Sequence, residues 1–261
     1  MHLQDRLGDT VKIRLHQYLS RTGHFKTKAK AKQAVWDGKI TIGNKIVKDI
    51  SYEFNPSKRE VRIGDLPLNI PTEYTYFILN KPEGVICSRI NKHERLLGKK
   101  SVFELFSDCT DRKISDSLVT VGRLDEGTTG LLIVTNDGSL VNEISNPSNN
   151  IGKTYNLRVA HKITSEDISS LTEGIEIYHS DDESRTSYTT RPAKVSKISD
   201  YDVEITIYEG KKRQIRRMLE ALGNRVLFLH RASIGDLDLE EYSIDPGEYV
   251  EVDRKEITGK I

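Results

Sequence analysis

The chain has 261 residues, 36% of them hydrophobic and 30% charged, with a formal net charge of +1. This is long enough for a sizeable core and two domains, and its apolar runs are far too short to cross a bilayer. The opening MHLQDRLGDT lacks the apolar core of a signal peptide, so a cytoplasmic protein is expected, with Cys87 and Cys109 as reduced thiols and no structural zinc.

Charge is unevenly placed. Residues 11–36 carry seven Lys or Arg and no acid, 211–217 (KKRQIRR) carry five basic residues, and 164–184 carry seven acids and no Lys or Arg. Basic patches on a neutral protein suggest a polyanion meeting particular faces, although any single run is more often a solvated helix surface.

In chain order, Ile13, Leu15, Tyr18 and Leu19 predict a helix over 13–22. Ala31, Ala34 and Val35 predict a second over 26–37, ended by Gly38. KITIGNKIV reads as a hairpin turning at Gly43-Asn44, and EVRIGD (60–65) as one more strand. The stretch around Pro67 and Pro71 reads as a linker, which divides the chain into residues 1–69 and 70–261. Beyond it YFILN, GVICS, LVTV, GLLIVT, YNLRV, AKVSKI, DVEITIY and RVLFL read as strands. Helices are expected over 164–173, with Thr164 and Asp167 at capping-box spacing, and over 211–222, closed by Gly223. The fold class expected is α+β: a small helix-pair-plus-hairpin unit followed by a mostly antiparallel sheet domain.

Four segments carry the chemistry: GRLDEGTTG (122–130), Lys153-Thr154-Tyr155, EGKKRQIRRM (209–218) and LHRASIGDLDL (229–239). Singly each is weak, because an aspartate in a turn usually caps amides and a tyrosine in a strand usually packs. In this order and spacing they resemble the ribosomal RNA pseudouridine synthases, in the branch that modifies single uridines of small- or large-subunit rRNA. NKPEGVICS (80–88) resembles the opening of that family's catalytic domain, and residues 11–65 resemble its αL-type RNA-binding domain.

The resemblance implies a reaction that detaches uracil, turns it and rejoins it through C5, with no cofactor and no metal. It implies Asp125 as the catalytic carboxylate and Tyr155 as the active-site aromatic, able to stack on uracil. A carboxylate in a closed pocket drifts towards neutrality, and a guanidinium pair would keep it charged. The resemblance gives that role to Arg216, with Arg217 one register step away. Leu219 is a candidate wall of the base pocket, and Arg123 a candidate for displacing the base from its stack. Arg14, Arg21, Lys26, Lys28, Lys30, Lys32, Lys212, Arg213 and Arg217 are expected to meet RNA, largely through phosphates. The implied partner is ribosomal RNA or a ribosomal-subunit precursor, met by a monomer with no membrane attachment.

The alternative is a non-catalytic rRNA-binding or assembly factor on the same fold, which would not need Asp125, Tyr155 and Arg216 together. A two-carboxylate glycosidase fits poorly, because adjacent Asp125 and Glu126 should diverge. Clustered acids or histidines for a metal nuclease do not stand out. Glu126-Gly127 leaves the rigidity of the loop open, and 107–118 is expected to be an acidic surface insertion.

Overall fold

The computed structural model describes residues 12–25, 28–70, 73–107, 112–178 and 186–261. Lys26, Pro71 and Cys109 lie outside the described residues.

The N-terminal unit runs β1 (Ile13–Arg14), α1 (Leu15–Arg21), α2 (Lys28–Trp36), β2 (Ile40–Ile42), β3 (Lys45–Ile46), β4 (Glu53–Phe54), β5 (Val61–Ile63) and β6 (Leu66–Pro67). The first helix starts two residues later than the apolar spacing suggests, because Ile13 and Arg14 pair with Phe54 and Glu53 as a short ladder. Ala31, Ala34 and Val35 are the buried stripe of α2, as their spacing predicts, and the expected hairpin is β2–β3. Leu15, Leu19, Val35, Ile40, Phe54 and Val61 are at most 3% exposed and form a core of their own, to which Leu68 also belongs. The Tyr18 hydroxyl donates to the Leu68 carbonyl at 2.7 Å and ties the end of the unit back to α1.

The larger unit begins with β7 (Tyr76–Lys81), β8 (Val85–Ile86), α3 (Lys92–Leu96), β9 (Lys100–Ser101), α4 (Arg112–Ser117) and β10 (Val119–Thr120). It continues through β11 (Thr129–Thr135), α5 (Gly138–Ser145), β12 (Lys153–Val159), α6 (Ser165–Glu173), β13 (Glu176–Tyr178), β14 (Ser187–Thr189) and β15 (Lys194–Lys197). It closes with β16 (Asp202–Ile207), α7 (Gln214–Ala221), β17 (Val226–Ile234), β18 (Leu237–Asp238), β19 (Tyr249–Val252) and α8 (Arg254–Thr258).

One twisted sheet organises it, in the order β15-β16-β12-β17-β11-β7-β19, with β10 beside β11 and β18 beside β17. Every pairing is antiparallel except the two-residue pairing of β11 with β17. The centre is covered on both faces, which is why β7 and β11 read as continuous apolar runs. Leu132 and Val134 enter one core with Phe77 and Leu79; Leu131 and Ile133 enter another with Tyr76 and Ile78. Each fully buried side chain of this kind contributes roughly 1.5–3 kcal/mol.

Thr164 and Asp167 do form the capping box of α6. The segment expected to be a surface insertion is tied in at its end: the Arg89 guanidinium donates to the Ser115, Asp116 and Leu118 carbonyls, and Leu118 is 1% exposed. Its residues 108–111 lie outside the described residues. Helix α7 starts at Gln214 rather than Lys211, because Arg213 is left-handed (φ 52°) and the Gln214 side chain accepts from the Lys211 amide at 3.0 Å. The two units meet where the Arg21 guanidinium lies against Gly138, so close that a side chain at Gly138 would collide with it.

Candidate active site

A cleft of about 490 Å³ opens over β12 and β17. Its lining comes from the loop between β10 and β11, from β8, and from the segment that leads into α7. Arg123, Asp125, Lys153, Tyr155, Lys212, Arg213 and Arg216 all line it.

The Asp125 loop is pinned from several sides, which answers the question that Glu126-Gly127 raises. The Gly84 amide donates to the Glu126 carbonyl at 2.9 Å, and the Thr128 amide to the Asp125 carbonyl at 3.0 Å. Lys81, wholly buried at the end of β7, donates its ammonium to the Thr128 carbonyl at 2.8 Å, to Pro82 at 2.9 Å and to Glu126 at 3.4 Å. Burial pushes this ammonium below the usual lysine range, and the nearby Cys87, Glu126, Asp125 and Glu83 oppose the shift. Arg216 grips the far side, donating to the Gly127 carbonyl at 3.1 Å and to the Val226 carbonyl at 3.2 Å.

Arg216 therefore reaches the loop but not the carboxylate: among the described residues no ion pair joins Arg216 to Asp125. Asp125 is exposed, so the burial that would demand a charged partner is absent. Glu126 turns the other way, to Lys99 at 2.6 Å, so the adjacent carboxylates diverge as expected.

Where the loop joins the sheet, Gly130 has φ +103°, and a Cβ there would overlap the backbone of β17 at Arg231. Only glycine lets the two strands close at the foot of the cleft.

Tyr155 is 8% exposed and stands opposite Ile205 on one side and Arg231 on the other. Arg217 points away from the cleft, to the Tyr178 carbonyl and to the Tyr188 hydroxyl at 3.3 Å. Leu219 is 1% exposed within the core, and Ile215 supplies the apolar wall instead. Lys28, Lys30 and Lys32 are exposed on α2, with the Lys32 ammonium 4.4 Å from the ring of exposed Trp36. Arg14 is paired with Glu53 at 3.0 Å, an exposed pair of little energetic weight that a phosphate could displace. Arg21, placed against Gly138, belongs partly to the junction between the units.

Sequence reasoning took in Lys81 and Arg231 within NKPEGVICS and LHRASIGDLDL without singling either out, and passed over Trp36. A lysine or arginine inside a strand reads as a solvent-facing position, and only the folded neighbours show which carbonyls it reaches.

The family model for RNA pseudouridylate synthase matches residues 75–221, the segment that builds most of this cleft. The chain belongs to that family. The S4 domain model matches residues 13–59, within the unit that bears α2. The synthase is 34% identical over 231 residues to a ribosomal small subunit pseudouridine synthase A of Haemophilus influenzae, covering 88% of this chain and 92% of that protein. It is 32% identical to an uncharacterized RNA pseudouridine synthase of Bacillus subtilis, over 94% and 97% of the two chains. A crystal structure of a pseudouridylate synthase superposes with a TM-score of 0.65 at 32% identity, covering 95% of this chain and all of that one. The protein is thus a pseudouridine synthase with an N-terminal S4 RNA-binding domain.

Proposed function

We propose that the enzyme isomerises one uridine of ribosomal RNA to pseudouridine, with Asp125 as the reacting carboxylate and without a cofactor. The relatives named for the ribosomal small subunit support that class of RNA. The observation that carries the reading is the loop itself: Asp125 projects into the cleft while Lys81, Arg216 and the Gly84 amide fix the carbonyls of the three residues after it. A carboxylate held this way meets C1′ of an inserted nucleotide at a set angle, which is the positional part of catalysis.

Tyr155 stacks on the uracil and keeps water from it, and Arg123, exposed at the mouth, takes the place of the displaced base. Residues 1–69 dock the RNA through Lys28, Lys30, Lys32 and Arg14, and residues 70–261 carry the chemistry. The separate cores of the two units support this division. Lys212 and Arg213, exposed at the cleft edge, meet the phosphates beside the target. We take the enzyme to act as a monomer. Among the described residues no helix is long and apolar enough to cross a membrane, and we place the enzyme in the cytoplasm with its RNA.

The test is Asp125→Asn. The side chain is exposed and makes no hydrogen bond among the described residues, so the melting temperature and RNA affinity should stay at wild-type values. Tritium release from RNA labelled at uridine C5 should fall to background. Substantial release by the variant removes Asp125 from the chemistry.

A further inference from the structure

Two cations under the cleft have no carboxylate paired with them among the described residues. Arg231 rises from β17 in register with Tyr155 of β12, so both side chains share the face that floors the cleft. It is 3% exposed. Its Nε donates to the Leu131 carbonyl at 2.8 Å, while Nη2 is buried with no acceptor among the described residues. Lys153 stands nearby on β12 and donates to the Ile151 carbonyl at 2.8 Å and the Ile144 carbonyl at 3.4 Å. No ion pair reaches either residue among the described residues. A buried guanidinium lacking both a counter-ion and a full set of acceptors is costly to keep, which points to an acceptor that arrives with the substrate.

Depth decides which acceptor. Lys211, Lys212 and Arg213 are exposed at the rim, where a phosphate would keep much of its water. Arg231 lies beside the aromatic ring of Tyr155, where a flat base would lie. Arg216 is already engaged by the Gly127 and Val226 carbonyls.

We propose that Arg231, backed by Lys153, hydrogen-bonds a carbonyl oxygen of the target uracil and stabilises the negative charge the base carries once its bond to ribose is broken. This rests on the uridine reading above. When N1–C1′ breaks, the electron pair stays with the base and spreads from N1 to O2 and O4. C1′ is taken by an Asp125 oxygen or relieved by loss of the C2′ proton. After the base turns, C5 bonds to C1′ and the Asp125 bond is released or the C2′ proton returned. The C5 proton then leaves and N1 gains one, so the product is an isomer of the reactant and no oxidant or reductant is needed. Either route passes through a uracil anion, and a fixed cation favours the anion over the neutral base.

The experiment compares full-length wild type with Arg231→Gln, Arg231→Lys and Lys153→Met on an rRNA fragment the wild type modifies. The fragment carries uridine or 5-fluorouridine at the target. Fluorine already stabilises the base anion, so it tests the proposed role directly. Binding isotherms give affinity. Single-turnover loss of the target nucleoside, followed by digestion and chromatography, records N1–C1′ cleavage in both substrates. Arg231→Gln should slow uridine on the order of 10²-fold, the usual cost of one lost oxyanion donor, with affinity unchanged. The loss should shrink to less than about tenfold on 5-fluorouridine, and Arg231→Lys should recover part of the rate. Should Arg231→Gln unfold, Arg231→Lys and Lys153→Met must show the same smaller loss on the fluorinated substrate. Equal losses on both substrates, or a rate loss matched by weaker binding as a phosphate partner would give, overturn the proposal. Wild type inactive on every rRNA fragment overturns the uridine reading instead, and this inference falls with it.

Discussion

The synthase carries positive charge in two ways. On α2, Lys28, Lys30 and Lys32 are exposed, with the Lys32 ammonium over the ring of Trp36. Around the cleft, Lys81, Lys153, Arg216 and Arg231 are half to wholly buried, and each donates to backbone carbonyls. Surface cations act through number and are screened by salt. Cations bonded to carbonyls act through position, and one cannot stand in for another. The first arrangement suits affinity for a polyanion; the second suits aiming a loop and a base.

The sharpest way to break this contrast is at α7, where neighbouring arginines do different things. Arg216→Met frees the Gly127 and Val226 carbonyls and leaves Asp125 on a looser loop. A misplacement of about 1 Å at a reacting group costs on the order of 10²-fold, so turnover should fall by at least that much. Arg216→Lys should rescue poorly, since a compact ammonium does not reproduce the planar fork by which the guanidinium reaches the Gly127 and Val226 carbonyls from separate nitrogens. Arg217→Met removes the hydrogen bonds to Tyr178 and Tyr188, which costs about 1 kcal/mol of stability but leaves turnover near wild type. Single-turnover rates and thermal melts on the three variants decide it. If Arg217→Met is inactive and Arg216→Met active, the assignment is reversed.

Much of this was legible beforehand and some was not, for physical reasons. Buried strands such as β7 and β11 announce themselves by unbroken apolar runs, and α6 by the Thr164–Asp167 box. Helix α5 went unread because Asn136-Asp137-Gly138 looks like a turn. In the fold Asp137 is its N-cap, accepting from the Ser139 and Leu140 amides. Burial pushes the Asp137 carboxyl up, but donation by Ser139, Tyr76 and Arg254 outweighs this and holds it below the usual range. The Asp125 motif could be found from its resemblance to the family's. That Arg216 would hold the loop rather than the carboxylate could not, because spacing brings elements together without saying which acceptor is nearer.

A smaller effect is expected at the surface. Deleting residues 1–69 removes α2 and the Arg21 guanidinium but leaves both cores of the larger unit intact, and the α5 cap is held by Tyr76 and Arg254 without it. Affinity for the rRNA fragment should fall. The slope of log affinity against log salt should flatten by roughly 0.7–0.9 for each phosphate that is no longer neutralised. Turnover at saturating RNA should persist. Joint neutralisation of Lys26, Lys28, Lys30 and Lys32 should give part of the same change, in proportion to the charges removed rather than to any one of them. An unaltered salt slope after the deletion would mean that the S4 domain does not dock the RNA.

The smallest effect belongs to a buried cation and is read in stability. Burial, and then the charge of Arg231, lower the Lys153 pKa from 10.5 to about 8. Below pH 8 both folded and unfolded chains carry this proton, and the half-buried charge is a constant cost to the fold. Between pH 8 and 10.5 the unfolded chain still holds a proton that the folded chain has shed. The unfolded state then binds more protons, so the contribution of this group to stability rises with pH across that window. Lys153→Met removes the titration, at the expense of the hydrogen bonds to Ile151 and Ile144. The wild type should therefore gain on the variant as pH climbs from 8 to 10, whichever of the two is more stable at pH 7. Urea midpoints measured at each pH, taken as the difference between the two proteins, cancel the other lysines and tyrosines that titrate in the same range. A difference that stays flat would show that water reaches the ammonium freely, and Lys153 would then belong with the exposed lysines of α2.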